Sequence, residues 1–179
     1  MPNTRDFRQY GNLTEGSVSA GTHQIFIDDD VDRFLQDWPT NSPIRSAYNF
    51  WKVRTNPEDG LPRREELDPL ELGPGTLPHI VLLDIERTPE LRFRYSLVGG
   101  HVEEIFGENY AGRYLDEMDL GTMMEVVTEF YKVTATRKTA ALLQAGYITK
   151  NRSTFKVIRL AMPMAWRADP VGAIFCAFE

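Results

Sequence analysis

Hydrophobic and polar positions change their spacing twice along this chain of 179 residues. An apolar run over 80–85 is typical of a strand, apolar residues then alternate with polar ones over 91–97, and the 3.6-residue repeat of a helix follows over 120–137. Three further strand-like segments follow that helix, at 139–149, 153–166 and 171–178. The pattern therefore predicts two strands, one long helix and a final set of three strands.

This order of elements predicts an α+β fold built on one five-stranded antiparallel sheet. Short helices are expected at 101–106 and at about 114–118, between the second strand and the long helix. We expect these helices to lie together on one face of the sheet. Hairpin turns are predicted at Lys150–Ser153 and Arg167–Pro170, where polar residues and a proline separate the last three strands.

The N-terminal part of the chain has a different character. Residues 1–40 begin with a polar, aperiodic stretch up to residue 24, which predicts a mobile arm followed by a short helix with an acidic first turn. Residues 41–78 predict a helix that starts at Pro43 behind the capping residue Ser42, and then a Pro-rich extended segment. This helix and segment form an N-terminal extension of a core that occupies residues 79–179.

The helix of this extension carries an apolar stripe at the spacing i, i+3, i+4, i+7. The stripe consists of Ile44, Ala47, Tyr48 and Trp51. Because apolar surface of this size is normally buried, we expect the stripe to cover the open face of the sheet or a symmetric partner chain. The second alternative makes these four residues candidates for a homodimer interface.

Polar residues around the Pro-rich segment allow two interpretations. Arg54, Arg64 and Asp68 are the residues concerned. We interpret Arg64 and Asp68 as ties, that is, side chains that hydrogen-bond to backbone groups of this irregular segment, because those groups have no neighbouring strand to pair with. The alternative is a surface on which a partner protein docks.

Composition and charge narrow the classes of partner. Asp and Glu number 26 against 20 Lys and Arg, for a net charge of −6. Because nucleic-acid binding requires clustered cations and the basic residues here are scattered, nucleic acid is not expected as a partner. The single cysteine, the absence of a long apolar run and a start unlike a signal peptide predict a soluble cytoplasmic protein without membrane contact. The length leaves no room for an output domain beside the core, so we expect signalling through another protein.

Short motifs occur in a fixed order from about residue 47 to the end. They are Phe50–Arg54, Pro62–Pro69, Leu77–Ile85, Phe93–Gly100 and Phe106–Arg113. In this order they resemble a bacterial family of short, stand-alone PAS proteins. The resemblance implies the PAS fold, with strands in the spatial order 2-1-5-4-3, and implies no particular reaction. The chain departs from the family pattern at Glu66, Ser96 and Gly100, where Asp, Arg and Thr are usual.

The resemblance also allows the cofactors of PAS sensors to be compared with this chain. Flavin light sensors carry a cysteine where this chain has Tyr110, which disfavours flavin–cysteinyl chemistry. Haem-type sensors use a histidine on the long helix, and residues 120–137 contain none. No cofactor is therefore predicted.

Residues suited to catalysis or metal binding form no recognisable constellation. His23, His79 and His101 are scattered, and no two have the helical spacing typical of a metal site. Cys176 lies inside a predicted strand, where it is expected to act as a small buried hydrophobe. We therefore expect neither a catalytic site nor a metal site.

An apolar interior between the long helix and the sheet is the remaining candidate site. Its predicted lining is Tyr95, Leu97, Phe106, Met123, Val127, Phe130, Tyr131, Ile158, Leu160 and Met162. These residues suit an ordinary filled core, and they also suit an adaptable small-molecule pocket. The leading interpretation is a sensory or adaptor module that contacts a signalling protein such as a kinase, with a small apolar ligand as a candidate gate. The alternative is a small-molecule binding protein or a divergent enzyme.

Overall fold

The computed structural model describes residues 23–27, 29–148 and 154–179. The strands are β1 His23–Ile27, β2 Ile80–Glu86, β3 Arg92–Val98, β4 Ala141–Ile148, β5 Thr154–Trp166 and β6 Asp169–Phe178. The α-helices are α1 Asp29–Gln36, α2 Pro43–Lys52, α3 Gly100–Phe106 and α4 Met124–Arg137. Single 3₁₀ turns occur at Arg64–Glu66, Pro69–Leu72, Leu77–His79, Leu115–Glu117 and Gly121–Met123.

The strands form one antiparallel sheet in the order β1-β4-β5-β6-β2-β3. Strands β2 to β6 reproduce the spatial order 2-1-5-4-3, so the α+β class and the arrangement of the five-stranded core are confirmed. The sheet differs from the prediction by one extra strand, β1, at the edge next to β4.

Strand β1 arises from the end of the predicted arm. His23 lies opposite Ala145 and Ile27 lies opposite Ala141, so the pairing runs over the whole of β1. The pairing satisfies backbone groups along an edge of β4 that would otherwise be open. The prediction of an aperiodic arm is therefore wrong at residues 23 and 24, and residues 1–22 lie outside the described residues.

Two predicted boundaries also change. The long helix was expected from residue 120, but α4 begins at Met124 because Gly121 has a φ of 53° and the preceding turn is 3₁₀. The last turn is tighter than predicted, since β6 already begins at Asp169 and Arg167 adopts a φ of 55°. The turn predicted at 150–153 lies outside the described residues.

Helix α2 begins as the sequence predicts. The hydroxyl of Ser42 accepts a hydrogen bond of 3.0 Å from the backbone N–H of Arg45, and Pro43 occupies the first turn. All four residues of its apolar stripe are buried; they are Ile44, Ala47, Tyr48 and Trp51. The helix packs on β5 and β6, so the stripe covers a face of the sheet, the first of the two predicted positions. The four side chains are thus buried within their own chain.

The two faces of the sheet are distinguished by β6, whose side chains alternate. The ring of Phe175 lies 6.0 Å from that of Phe50 in α2, so we call this side the α2 face. Cys176 lies next to Tyr131 in α4, so the opposite side is the α4 face. Helices α3 and α4 both lie on the α4 face, as expected for the helices of the core.

Candidate functional site

The interior between the α4 face and helices α3 and α4 contains six of the ten predicted pocket residues. These are Tyr95, Phe106, Met123, Val127, Phe130 and Tyr131. Phe93 and Tyr95 project from β3 towards α4, since the ring of Phe93 lies 5.5 Å from that of Tyr131. All of these six residues except the half-buried Phe106 are buried.

The other four predicted pocket residues lie on the α2 face, which corrects the prediction. Leu160 lies opposite Ala177 and Met162 lies opposite Phe175, the residue that contacts α2. Directly opposed residues of a sheet share a face, and side chains alternate along a strand, so Ile158 lies on this face as well. Leu97 of β3 lies opposite Leu82 of β2, and Leu82 lies opposite Phe175 of β6 on its other side. Leu97 therefore lies on the α2 face as well.

Among the residues that β5 presents to the α4 face instead is Arg159. It lies directly opposite Phe178 of β6, and its side chain is only 1% exposed. The guanidinium carbon lies 4.7 Å from the ring centre of Phe178, 5.6 Å from that of Tyr131 and 5.9 Å from that of Phe106. A permanent positive charge is therefore held among aromatic rings inside the domain.

Two neutral acids lie close to this charge. The thiol sulfur of Cys176 lies 4.0 Å from the hydroxyl oxygen of Tyr131, and both residues are fully buried. Burial raises the pKa of Cys176 to about 12, although Arg159 and Tyr131 both act to lower it. Burial likewise raises the pKa of Tyr131 well above its usual value, against the opposing charge of Arg159. Both groups are thus protonated at neutral pH and can donate hydrogen bonds.

Helix α3 closes one side of this interior and is held at its N-terminal end. A Cβ atom on Gly99 would lie 2.2 Å from the carbonyl oxygen of Pro78, so only glycine allows this approach. The ring of His101 lies 4.2 Å from that of His79, whose Nδ1 lies 2.9 Å from the Phe178 carbonyl oxygen. The sequence did not indicate this pairing, because the two histidines are far apart along the chain.

A family model described as a PAS domain matches residues 40–177. The chain belongs to the PAS domain family. Members of this family are sensory domains, so the family prediction and its sensory character are confirmed at that level. No curated protein matches this PAS domain.

Several solved structures are similar to this PAS domain at low identity. A Rhodobacter sphaeroides LOV protein is 10% identical, with 75% of this chain and 66% of that chain covered and a TM-score of 0.44. A fungal LOV domain photoreceptor is 12% identical, with 72% and 85% covered and a TM-score of 0.43. An RNA-binding light-oxygen-voltage receptor is 12% identical, with a TM-score of 0.43 over 56% of this chain, which spans 29% of that receptor.

Of the two ties predicted around the Pro-rich segment, at Arg64 and Asp68, the one at Asp68 is present, and Arg54 makes a further one. The carboxylate of Asp68 accepts a hydrogen bond of 3.0 Å from the N–H of Leu70 and so caps a 3₁₀ turn. Arg54 donates to the carbonyl oxygen of Phe50 at 3.1 Å and to Glu71 at 2.6 Å.

The third residue, Arg64, departs from that prediction. Its Nε is buried and has no hydrogen-bond partner among the described residues.

Within the described part of the chain, no group of three or more His, Cys, Asp or Glu side chains is placed to hold a metal ion. None of the helices described is both long and apolar enough to cross a bilayer.

Arg159 was missed by sequence reasoning for a physical reason. Residues 157–165 of β5 are otherwise apolar, because the strand is buried on both faces. In such a strand the alternation that would separate the two faces is lost. The usable signal was the single arginine within that apolar run, since a charged residue at such a position must be buried.

Proposed function

We propose that this PAS domain is a sensory module that contacts a signalling protein such as a kinase, and that a small molecule bound in the α4-face interior controls this contact. The observation that carries the proposal is an exposed apolar surface on the N-terminal extension. Val53 is 77% exposed and Leu70 is 71% exposed, the two highest values among the large apolar side chains of the described residues. The two residues define what we call the extension surface.

The two halves of the extension surface are joined to each other. Val53 ends α2, and Leu70 lies in the adjacent 3₁₀ turn. The next residue after each, Arg54 and Glu71, form an ion pair in which guanidinium nitrogen and carboxylate oxygen lie 2.6 Å apart. Residues 53–72 contain six acidic and three basic side chains. A partner that suits this surface presents apolar side chains flanked by lysine or arginine.

A structural connection between the interior and the extension is provided by β6. Its residues Cys176 and Phe178 face Tyr131 and Arg159, whereas Phe175, the residue before Cys176, points to the other face and contacts Phe50 of α2. A small shift of this strand, caused by a ligand on the α4 face, would therefore be transmitted to α2. Interiors are close-packed, which favours transmission of such shifts over local absorption.

The protein-contact part is tested with variants of the extension surface. The double variant Val53→Ser/Leu70→Ser removes both apolar side chains at positions exposed to solvent, so the melting temperature is expected to stay unchanged. Leu91→Ser, on the β2–β3 hairpin and 37% exposed, is the control. Affinity capture from cells of the source organism with each of the three proteins, followed by mass spectrometry, identifies partners whose capture depends on the surface.

The expected result is a signalling protein that is retained by the wild-type chain and by Leu91→Ser but lost with the double variant. Binding of the purified partner, measured by calorimetry, is then expected to show the same order. Equal retention by all three proteins, or retention of no signalling protein, would overturn the proposed contact.

A further inference from the structure

Two charged residues are buried in the described part of this domain, one on each face of the sheet. Of the described residues that carry a full charge, Asp84 and Arg159 are buried. Asp84 lies on the α2 face and pairs with Arg94 at 2.7 Å. Arg159 lies on the α4 face, within the interior to which the proposed function assigns a ligand.

The chemistry around Arg159 selects a particular class of molecule. A guanidinium presents planar pairs of N–H donors whose geometry matches a carboxylate. The rings of Phe178, Tyr131 and Phe106 surround it and offer flat, apolar walls to the rest of a ligand. Tyr131, whose hydroxyl oxygen accepts from the Cys176 thiol, adds an O–H donor beside the charge.

We infer that the α4-face interior binds a small carboxylic acid with an apolar body, its carboxylate held by Arg159. The inference rests on the proposed function and replaces the neutral apolar ligand predicted from the sequence. A carboxylate suits this interior better than a phosphate monoester, because a dianion loses more hydration free energy when it leaves water. The apolar body takes the place beside the aromatic rings, where burial of its surface contributes to affinity.

The route of entry is indicated by Phe106. Of the three rings around the guanidinium, those of Tyr131 and Phe178 are fully buried, whereas Phe106 is half-buried. Phe106 ends α3, and the next residue, Gly107, has a φ of 80° that terminates the helix. Phe106 is therefore the most exposed of the three rings, and we expect a ligand to reach Arg159 past it.

The test compares acids with the corresponding primary amides, which have nearly the same shape but no charge. The probes are phenylacetate, indole-3-acetate and decanoate, each with its amide, and binding to the purified full chain is measured by isothermal titration calorimetry. At least one acid is expected to bind about tenfold or more tightly than its amide, as charge-assisted hydrogen bonds require. Arg159→Met is expected to reduce this preference to less than about threefold.

Two further variants separate charge from fold. Arg92→Met removes a guanidinium that binds Asp116 away from the interior, and it is expected to keep the preference for the acid. Arg159→Lys keeps the charge but loses the planar donor pair, so an intermediate preference is expected. Circular dichroism establishes whether each variant is folded, and the wild-type comparison of acid with amide decides the matter if Arg159→Met does not fold.

Three results would overturn the inference. Equal affinity for acid and amide would show that the interior binds neutral apolar molecules. The proposed function would then stand, but the specificity for carboxylates would be rejected. An unchanged preference in folded Arg159→Met would remove Arg159 as the recognising group. Failure of every probe to bind at 1 mM would remove the acid site, whereas the capture experiment on Val53 and Leu70 tests the protein contact independently.

Discussion

The indole nitrogen of Trp51 donates a hydrogen bond of 2.9 Å to the carbonyl oxygen of Pro163. The bond joins α2 of the N-terminal extension to β5 near the C-terminal end of that strand, over 112 residues of sequence, and it is buried. Helix α2 is thus fixed to the sheet by a directional contact as well as by its apolar stripe. This matters for the proposed function, because the extension surface begins at the end of α2.

Substitution of Trp51 is expected to loosen the extension in two steps. Trp51→Phe keeps an aromatic ring but removes the donor, which leaves the Pro163 carbonyl without this partner and costs about 1–2 kcal/mol. Trp51→Ala also removes a buried ring and is expected to cost about 3–5 kcal/mol. Urea unfolding followed by far-UV circular dichroism measures both, and a cost below about 1 kcal/mol for Trp51→Ala would contradict the packing described for α2.

Gly99 is expected to tolerate no side chain. A Cβ there would lie 2.2 Å from the Pro78 carbonyl oxygen and 2.8 Å from that of Leu77, both backbone atoms that cannot move alone. Gly99→Ala is therefore expected to destabilise the domain by about 1–3 kcal/mol or more, which thermal unfolding would show as a fall of about 2–4 °C per kcal/mol.

The neighbouring Gly100 supplies a matched control for that substitution. Nothing lies within 4 Å of a Cβ built there, and Gly100 begins α3. Gly100→Ala is expected to leave the melting temperature unchanged or slightly raised, since alanine favours helix. Equal losses in the two variants would mean that the effect is general to this segment and not caused by the contact with Pro78.

The strand order of the core could be predicted from the sequence, but the faces of one strand could not. Strand β3 and helix α4 show clear periods, because one side of each is more exposed than the other. Strand β5 is buried on both sides, so its apolar residues carry no sign of the face to which they belong. Only the pairing of Leu160 with Ala177 and of Arg159 with Phe178 decides that Arg159 faces α4.

The edge strand β1 was missed for a different reason. It contains only five residues, and its apolar part, Ile25–Ile27, is too short to show a period. What makes it a strand is the open edge of β4, a tertiary feature. The contact between His79 and His101 likewise depends on how α3 returns to the start of β2.

The ion pair of Asp84 and Arg94 supports a prediction on the α2 face. Arg94 donates to one carboxylate oxygen of Asp84 at 2.7 Å, and the other oxygen is buried without a hydrogen-bond partner among the described residues. Arg94→Met leaves the buried carboxylate without its countercharge. Because the Arg94 side chain is 37% exposed, we expect a loss of about 2 kcal/mol, below the range for a fully buried pair.

Removal of both partners is expected to reverse much of that loss. In Asp84→Leu/Arg94→Met no charge remains to be desolvated, so the double variant is expected to be more stable than Arg94→Met alone. Urea unfolding of the wild type, the two single variants and the double variant completes the cycle. A double variant less stable than Arg94→Met would mean that Asp84 has other favourable contacts.

Cys176 makes the stability of the domain depend on alkaline pH. Burial raises the pKa of its thiol from 9.0 to about 12 in the folded chain, so the folded state holds this proton more tightly than the unfolded state does. The stability from this group is complete below pH 9 and is lost as the pH rises from 9 to 12. By linkage, a loss of roughly 1 kcal/mol is expected at pH 10.

The measurement compares urea unfolding of the wild type and Cys176→Ala at pH 7.5, 8.5, 9.5 and 10. The variant loses packing by the same amount at every pH, so the pH dependence of the difference between the two curves reports the thiol together with its effect on the pKa of Tyr131. The wild type is expected to lose stability faster above pH 9, and the two curves to converge there. Parallel curves would contradict the burial of this thiol beside Tyr131, and with it the closed interior in which Arg159 is held.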